Sequence, residues 1–124
     1  MNSSSFSLAS ERLRSDGLAP SEEIAKVEGH LDSRTQGQPI EASEVARRLR
    51  IGEDTTTRIL EGHVTCGTLY SRHHAKCPRC STLHPLDEFR HKRDSGDDYS
   101  CTSCDADLLD PEKPSTEVAA YYLR

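Results

Sequence analysis

The sequence predicts an α+β fold in which a small helical domain is joined to a β-hairpin module cross-linked through cysteines. Three observations carry that prediction. Apolar residues recur at spacings of three and four through the first half of the chain. Two C-x2-C pairs stand in the second half, and a turn-rich segment lies between them. The hydrophobic inventory is small for 124 residues, at 33% with two Phe, four Tyr and no Trp, so a source of stability beyond apolar burial is expected.

Residues 1–20 are expected to form a flexible N-terminus, 21–76 the helical domain and 77–124 the cysteine module with a C-terminal strand. Residues 1–5 read as a disordered lead. Phe6, Ala9 and Leu13 then follow at helical spacing until Asp16-Gly17 ends a short helix. Pro20 and Ser21 start a second helix, with Glu22 and Glu23 at the positive end of its dipole and Ile24, Val27 and Leu31 on one face as far as Ser33. A third runs from Ile40 to Ile51 with Ala42, Val45, Ala46 and Leu49 at spacings of three and four, and Gly52 is expected to break it. A fourth spans Thr55 to Val64, with Thr56, Leu60 and Val64 on one face; three threonines and Gly62 make it intrinsically weak, so packing must hold it.

Gly67 ends the helical region, and Thr68 to Lys76 reads as a strand or wing. The segments around Asp87–Arg93 and Asp98–Ser100 flank Asp94-Ser-Gly-Asp-Asp98, which reads as a hairpin with Phe89 and Tyr99 as its sizeable apolar groups. That leaves the module too few large side chains for a core of its own. Residues 105–115 form an acidic, proline-punctuated loop, and Thr116 to Leu123 reads as a strand with Val118, Ala120 and Tyr122 on one face.

Cys77-Pro-Arg-Cys80 and Cys101-Thr-Ser-Cys104, twenty residues apart, have the spacing of a four-thiolate zinc site. Two cysteines separated by two residues point both sulfurs at one ion from a single tight turn, and two such turns complete a tetrahedron. With all four positions filled by protein, Zn2+ would hold structure and would not catalyse. The remaining Cys66 and the histidines at 63, 73, 74, 84 and 91 show no interleaved ligand spacing for a second ion. They read as surface polar side chains, with Cys66 a small buried group at a helix end.

Residues 70–105 therefore resemble zinc ribbons. Ribbon knuckles commonly place Gly after the second cysteine; Ser81 and Asp105 stand there instead, and Asp tolerates a left-handed backbone better than Ser. The string Glu44-Val-Ala-Arg-Arg-Leu-Arg-Ile-Gly52, followed by Arg58-Ile-Leu60, Val64 and Gly67-Thr-Leu69, resembles the helix-turn-helix core of winged-helix proteins. A winged helix followed by a four-cysteine zinc ribbon is similar in domain order to the alpha subunit of general transcription factor E and to prokaryotic winged-helix/zinc-ribbon adaptors. That resemblance implies a module that docks on larger machinery or on nucleic acid.

Charge bears on the choice. The chain carries a net −5, and residues 41–76 are the one stretch where bases outnumber acids, by 6 to 5. High-affinity nucleic-acid binding rests on a basic face, because counterion release supplies most of the affinity. The presumed recognition helix offers Arg58 amid Glu53, Asp54 and Glu61, whereas Arg72, His73 and Lys76 lie on the presumed wing, placed to touch a phosphate backbone. The expected function is a noncatalytic adaptor that binds a protein partner in a larger complex; the rival is a DNA-binding transcriptional regulator. Enzyme activity is not expected, since no phosphate-cradling glycine loop, G-x-S-x-G elbow or HExxH pair is present. Thiolate usage and the absence of a signal or membrane-spanning stretch place the chain in the cytoplasm.

Overall fold

Among the described residues, five helices and three strands follow in the order α1 (Ser3–Ser15), α2 (Ser21–Asp32), α3 (Ala42–Leu49), α4 (Glu53–Thr65), β1 (Leu69–Lys76), β2 (Leu83–Pro85), α5 (Leu86–Ser95) and β3 (Thr116–Leu123). The computed structural model describes residues 3–124, with side chains from Leu8 onward. The fold is α+β, and its strands form one antiparallel sheet in the order β2-β1-β3. The described residues divide into two compact units. One runs up to Ser71 and takes in Ala120–Arg124; the other is Arg72–Ala119.

In the first unit α1 begins at Ser3, so the expected lead is helical from that residue, and Met1, Asn2 and the Phe6 side chain lie outside what is described. Helix α2 buries Ile24, Val27 and Leu31 completely and carries Glu22 and Glu23 in its first turn. Helix α3 ends earlier than Gly52. Arg50 takes the left-handed conformation at φ 56° and its N–H caps the Ala46 carbonyl, whereas Gly52 is extended and forms the N-cap of α4. The Thr56 hydroxyl donates to the Gly52 carbonyl at 2.8 Å, tying the start of α4 to its own cap.

Ile59 and Leu60 of α4 are wholly buried and join Leu13, Leu31, Ile40, Val45 and Leu69 in one core, each side chain contributing about 1.5–3 kcal/mol before its ordering entropy. The end of the chain closes that core. Ile40 and Tyr121 exchange both backbone hydrogen bonds at 2.8 Å, and the Tyr121 hydroxyl donates to Glu61 at 2.5 Å. In β3 Ala120 of the expected face is buried, as are Tyr121 and Leu123 of the opposite one, while Val118 and Tyr122 are half-buried; Tyr122 stacks on Tyr70 with ring centroids 5.3 Å apart.

The second unit departs most from expectation. The segment read as a hairpin forms helix α5. Asp87 and Glu88 sit in its first turn and Lys92 and Arg93 in its last, as the dipole favours, and Gly96 at φ 73° is its C-cap. The turn chemistry of Asp94-Ser-Gly thus ends a helix. The hairpin forms across the first cysteine pair, where β1 pairs with β2 through His74–Pro85, Ala75–His84 and Lys76–Leu83. A small core also exists here: Leu108, in the segment read as an acidic loop, is 1% exposed and packs with Cys77, Cys101, Phe89 and Tyr99. Among the described residues no helix is long and apolar enough to cross a membrane.

Two stability predictions arise from the helical unit. A Cβ placed on Gly62 would meet Leu13 Cδ2 at 2.1 Å and its Cγ at 3.3 Å, with Leu13 itself buried. Gly62→Ala should therefore destabilise by about 1–3 kcal/mol in urea unfolding, and Leu13→Ala in the same chain should recover part of that loss. His63 is fully buried; Thr68 donates its hydroxyl to the His63 carbonyl at 3.0 Å, which leaves the ring Nδ1–H to donate to Thr68 Oγ1 at 2.8 Å. Burial holds this imidazole down at about 4, against a smaller upward pull from Glu28. The unfolded chain binds the extra proton first, so stability is full above about pH 6.5 and falls toward pH 4 by about 3 kcal/mol. Urea midpoints from pH 7 to 4 should show that loss, and a His63→Phe variant should show a shallower one.

Candidate metal centre

Each cysteine pair forms the same tight turn. In the first, between β1 and β2, the Ser81 N–H donates to the Cys77 carbonyl at 3.0 Å and the Cys77 N–H to the Thr82 carbonyl at 2.9 Å. In the second, Asp105 N–H donates to the Cys101 carbonyl at 3.0 Å and Cys101 N–H to the Ala106 carbonyl at 2.9 Å. The residue after the second cysteine must turn left-handed to bring both sulfurs to one side, and Ser81 and Asp105 do so at φ 66° and 59°. These are the positions where glycine is the unstrained choice.

The two turns bring Cys77, Cys80, Cys101 and Cys104 together with all four sulfurs within 4.8 Å of one another. Cys77 and Cys104 are 3.6 Å apart and Cys80 and Cys101 3.5 Å, while every cysteine remains a free thiol. A tetrahedral zinc ion with sulfur at about 2.3 Å spaces its ligands by about 3.8 Å, so the residues present fit the ion. Cys77 and Cys101 are 1% exposed, whereas Cys80 is open to solvent.

Electrostatics make the same point. The Thr82 hydroxyl, 3.0 Å from the Cys80 sulfur, and the Thr82 N–H hold that thiol down at about 6. The Ala106 N–H favours the Cys104 thiolate, yet burial and the three sulfurs around it push Cys104 up to about 12. Sulfurs this close do not all ionise unless a cation lies between them.

Compared with known proteins, the chain matches no family model, no curated protein and no solved structure.

The other candidate residues are placed as follows. Arg58 is exposed on α4, 3.4 Å from Thr55 Oγ1; Arg72 and His73 are exposed on β1, and Lys76 is half-buried at its end. His73 Nδ1 lies 3.5 Å from Glu117. Two histidines expected at the surface are buried. His63 packs inside the helical core, and His84 lies edge-on to Tyr99 with centroids 5.8 Å apart. Cys66, expected to be buried, is half-exposed at the end of α4. None of these joins the four-cysteine group. Sequence reasoning missed Thr82 and Ala106, which stand two residues past the second cysteine of each pair; that shared offset was the available signal.

The left-handed serine yields a prediction. A non-glycine residue there costs about 1–2 kcal/mol, and glycine returns about 0.5–1 kcal/mol of that in backbone entropy. Ser81→Gly should therefore stabilise the metal-loaded chain by about 0.5–1 kcal/mol in chemical denaturation, and Asp105→Gly should gain less. Destabilisation by Ser81→Gly would contradict the strain.

Proposed function

We propose that this chain is a noncatalytic, zinc-dependent adaptor, a winged helix whose wing carries a zinc ribbon, acting in the cytoplasm on a protein partner within a larger complex. The observation that carries it is the closed tetrathiolate. Four sulfurs within 4.8 Å supply a full coordination shell from protein, which leaves an ion no position for water or substrate and suits a structural role. Zinc bound there would act as a cross-link, with Cys77 and Cys80 held by the β1–β2 hairpin and Cys101 and Cys104 by the turn that the Ser100–Asp107 bridge closes.

The winged-helix reading is supported by element order. Helix α2, the single-residue bridge at Ile40, helices α3 and α4, then β1 and β3 follow in sequence, with Ile40 paired to β3 and β3 beside β1. This order is similar to that of a winged helix and supports the reading, with the cysteine module standing between β1 and β3 in the chain. The adaptor reading is preferred to DNA binding because α4 presents Glu53, Asp54 and Glu61 to solvent beside Arg58. Exposed Arg58, Arg72 and His73 favour the second reading, a DNA-binding regulator.

One set of measurements tests both. Elemental analysis of the purified chain should find one zinc per chain, and Cys101→Ser should lose it along with the order of residues 77–108. Cross-linking in the native host should yield a stoichiometric protein partner that Cys101→Ser no longer holds. Duplex DNA titrated at low salt should bind weakly; a steep salt dependence that Arg72→Ala with Lys76→Ala flattens would replace the adaptor reading with the second.

A further inference from the structure

The two cysteine turns share their backbone hydrogen bonds and differ in what they show to solvent. In each, the first cysteine is buried, Cys77 and Cys101 both at 1% exposed. The second cysteines are unlike. Cys104 is half-exposed, whereas Cys80 is open to solvent, so Cys80 is the member of the group that a small solute meets first.

The side chains two residues further on differ as well. The first turn places Thr82 there, its hydroxyl 3.0 Å from Cys80 Sγ, and the second places Ala106, which has no hydroxyl to offer Cys104. A sulfur held as a metal ligand carries no proton, so the Thr82 hydroxyl donates and draws electron density from Cys80. The exposed sulfur is thus the one that is capped. On its other side Cys101 Sγ lies 3.5 Å away, in contact across the two turns. A solvent-accessible sulfur with a second sulfur against it is the arrangement in which oxidation ends in a disulfide.

We propose that Cys80 is a modification site for peroxides, with Cys101 as its resolving partner and Thr82 as the positioning residue that slows the reaction, so that oxidation empties the metal site and releases the partner. The inference rests on the adaptor reading and names the regulation of the same site. Cys80 Sγ attacks one peroxide oxygen; the S–O bond forms, the O–O bond breaks and hydroxide leaves. Cys101 Sγ then attacks Cys80 Sγ; the S–S bond forms, the S–O bond breaks and a second hydroxide leaves. Two thiolates have given two electrons, and one peroxide has become two hydroxides, which solvent protons turn to water. Cys77 and Cys104 remain, half the ligands that a structural zinc ion needs. A dithiol reduces the disulfide and restores all four.

The test uses the full zinc-loaded chain carrying Cys66→Ser, which removes the half-exposed thiol outside the group, treated with hydrogen peroxide beside a chromophoric zinc chelator. One zinc should be lost per disulfide formed, and should rebind after reduction and addition of Zn2+. Trypsin cuts after Lys76 and Arg79 and so puts Cys77 and Cys80 on separate peptides; mass spectrometry should find Cys80 joined to Cys101 in the first disulfide. Thr82→Ala should speed zinc loss about threefold or more, and Thr82→Ser should return it to the starting rate. Should Thr82→Ala fail to hold zinc before oxidation, the disulfide map of the chain with Thr82 decides alone. A first disulfide that leaves out Cys80 or joins it to Cys77 or Cys104, zinc loss without a disulfide, no loss under excess peroxide, or an unchanged rate in a zinc-loaded Thr82→Ala would each overturn the assignment. A native partner that stays on the oxidised chain but is lost by Cys101→Ser would end this inference and leave the adaptor reading standing. Absence of zinc from the purified chain would end both.

Discussion

Four sulfur atoms held within 4.8 Å of one another repel when ionised, so as thiolates they can coexist only around a positive charge. The surrounding structure is built to hold those sulfurs in place. Cys77 and Cys101 are the two buried cysteines and form a small core with Leu108, flanked by Phe89 and Tyr99. Cys80 is reached by solvent and relies on Thr82 for its hydrogen bond. Apolar burial on this scale does not order nearly fifty residues against their chain entropy, and a metal cross-link is the kind of term that makes up the difference.

The helical unit obeys a different constraint, that of close packing. Its weakest helix by propensity, α4, contributes two of the most deeply buried side chains, Ile59 and Leu60, and its glycine at 62 lets Leu13 of α1 approach. A residue that costs helix propensity is offset by a contact no larger residue would allow. The last strand then completes the unit from the far end of the chain. Tyr121 pairs with Ile40 through its backbone and with Glu61 through its hydroxyl, joining three segments distant in sequence.

What the sequence made legible follows from what each signal depends on. Helices α1 to α4 were readable because their faces repeat at helical spacing and their ends carry local signals, and the cysteine pairs because ligand spacing is a local property. Misreadings arose where one local pattern serves two structures. Asp94-Ser-Gly suits a hairpin turn and a helix C-cap equally, and the presence of Leu86 and Phe89 three residues apart was the clue for a helix. Leu108 was hidden because a lone leucine among acids and prolines has no period, and its burial comes from the cysteines around it. In β3, Ala120 on the expected face and Tyr121 and Leu123 on the other are all buried, so alternation did not mark a single inward face.

The distribution of charge bears most directly on what such a chain touches. A protein that grips nucleic acid gathers bases on the element entering the groove, because each phosphate neutralised releases a counterion. Here α4 opens with Glu53 and Asp54 and exposes Glu61, so its outer surface would raise the energy of an approaching phosphate. The cations of the second unit are handled differently. Arg90 bonds Glu117 and Arg93 bonds Asp94, so these guanidiniums are already part-neutralised and oriented by carboxylates. Arg90 thus ties α5 to Glu117 of β3, and Arg93 meets Asp94 within the end of α5, so the positive charge of these two side chains is spent on the fold's own carboxylates.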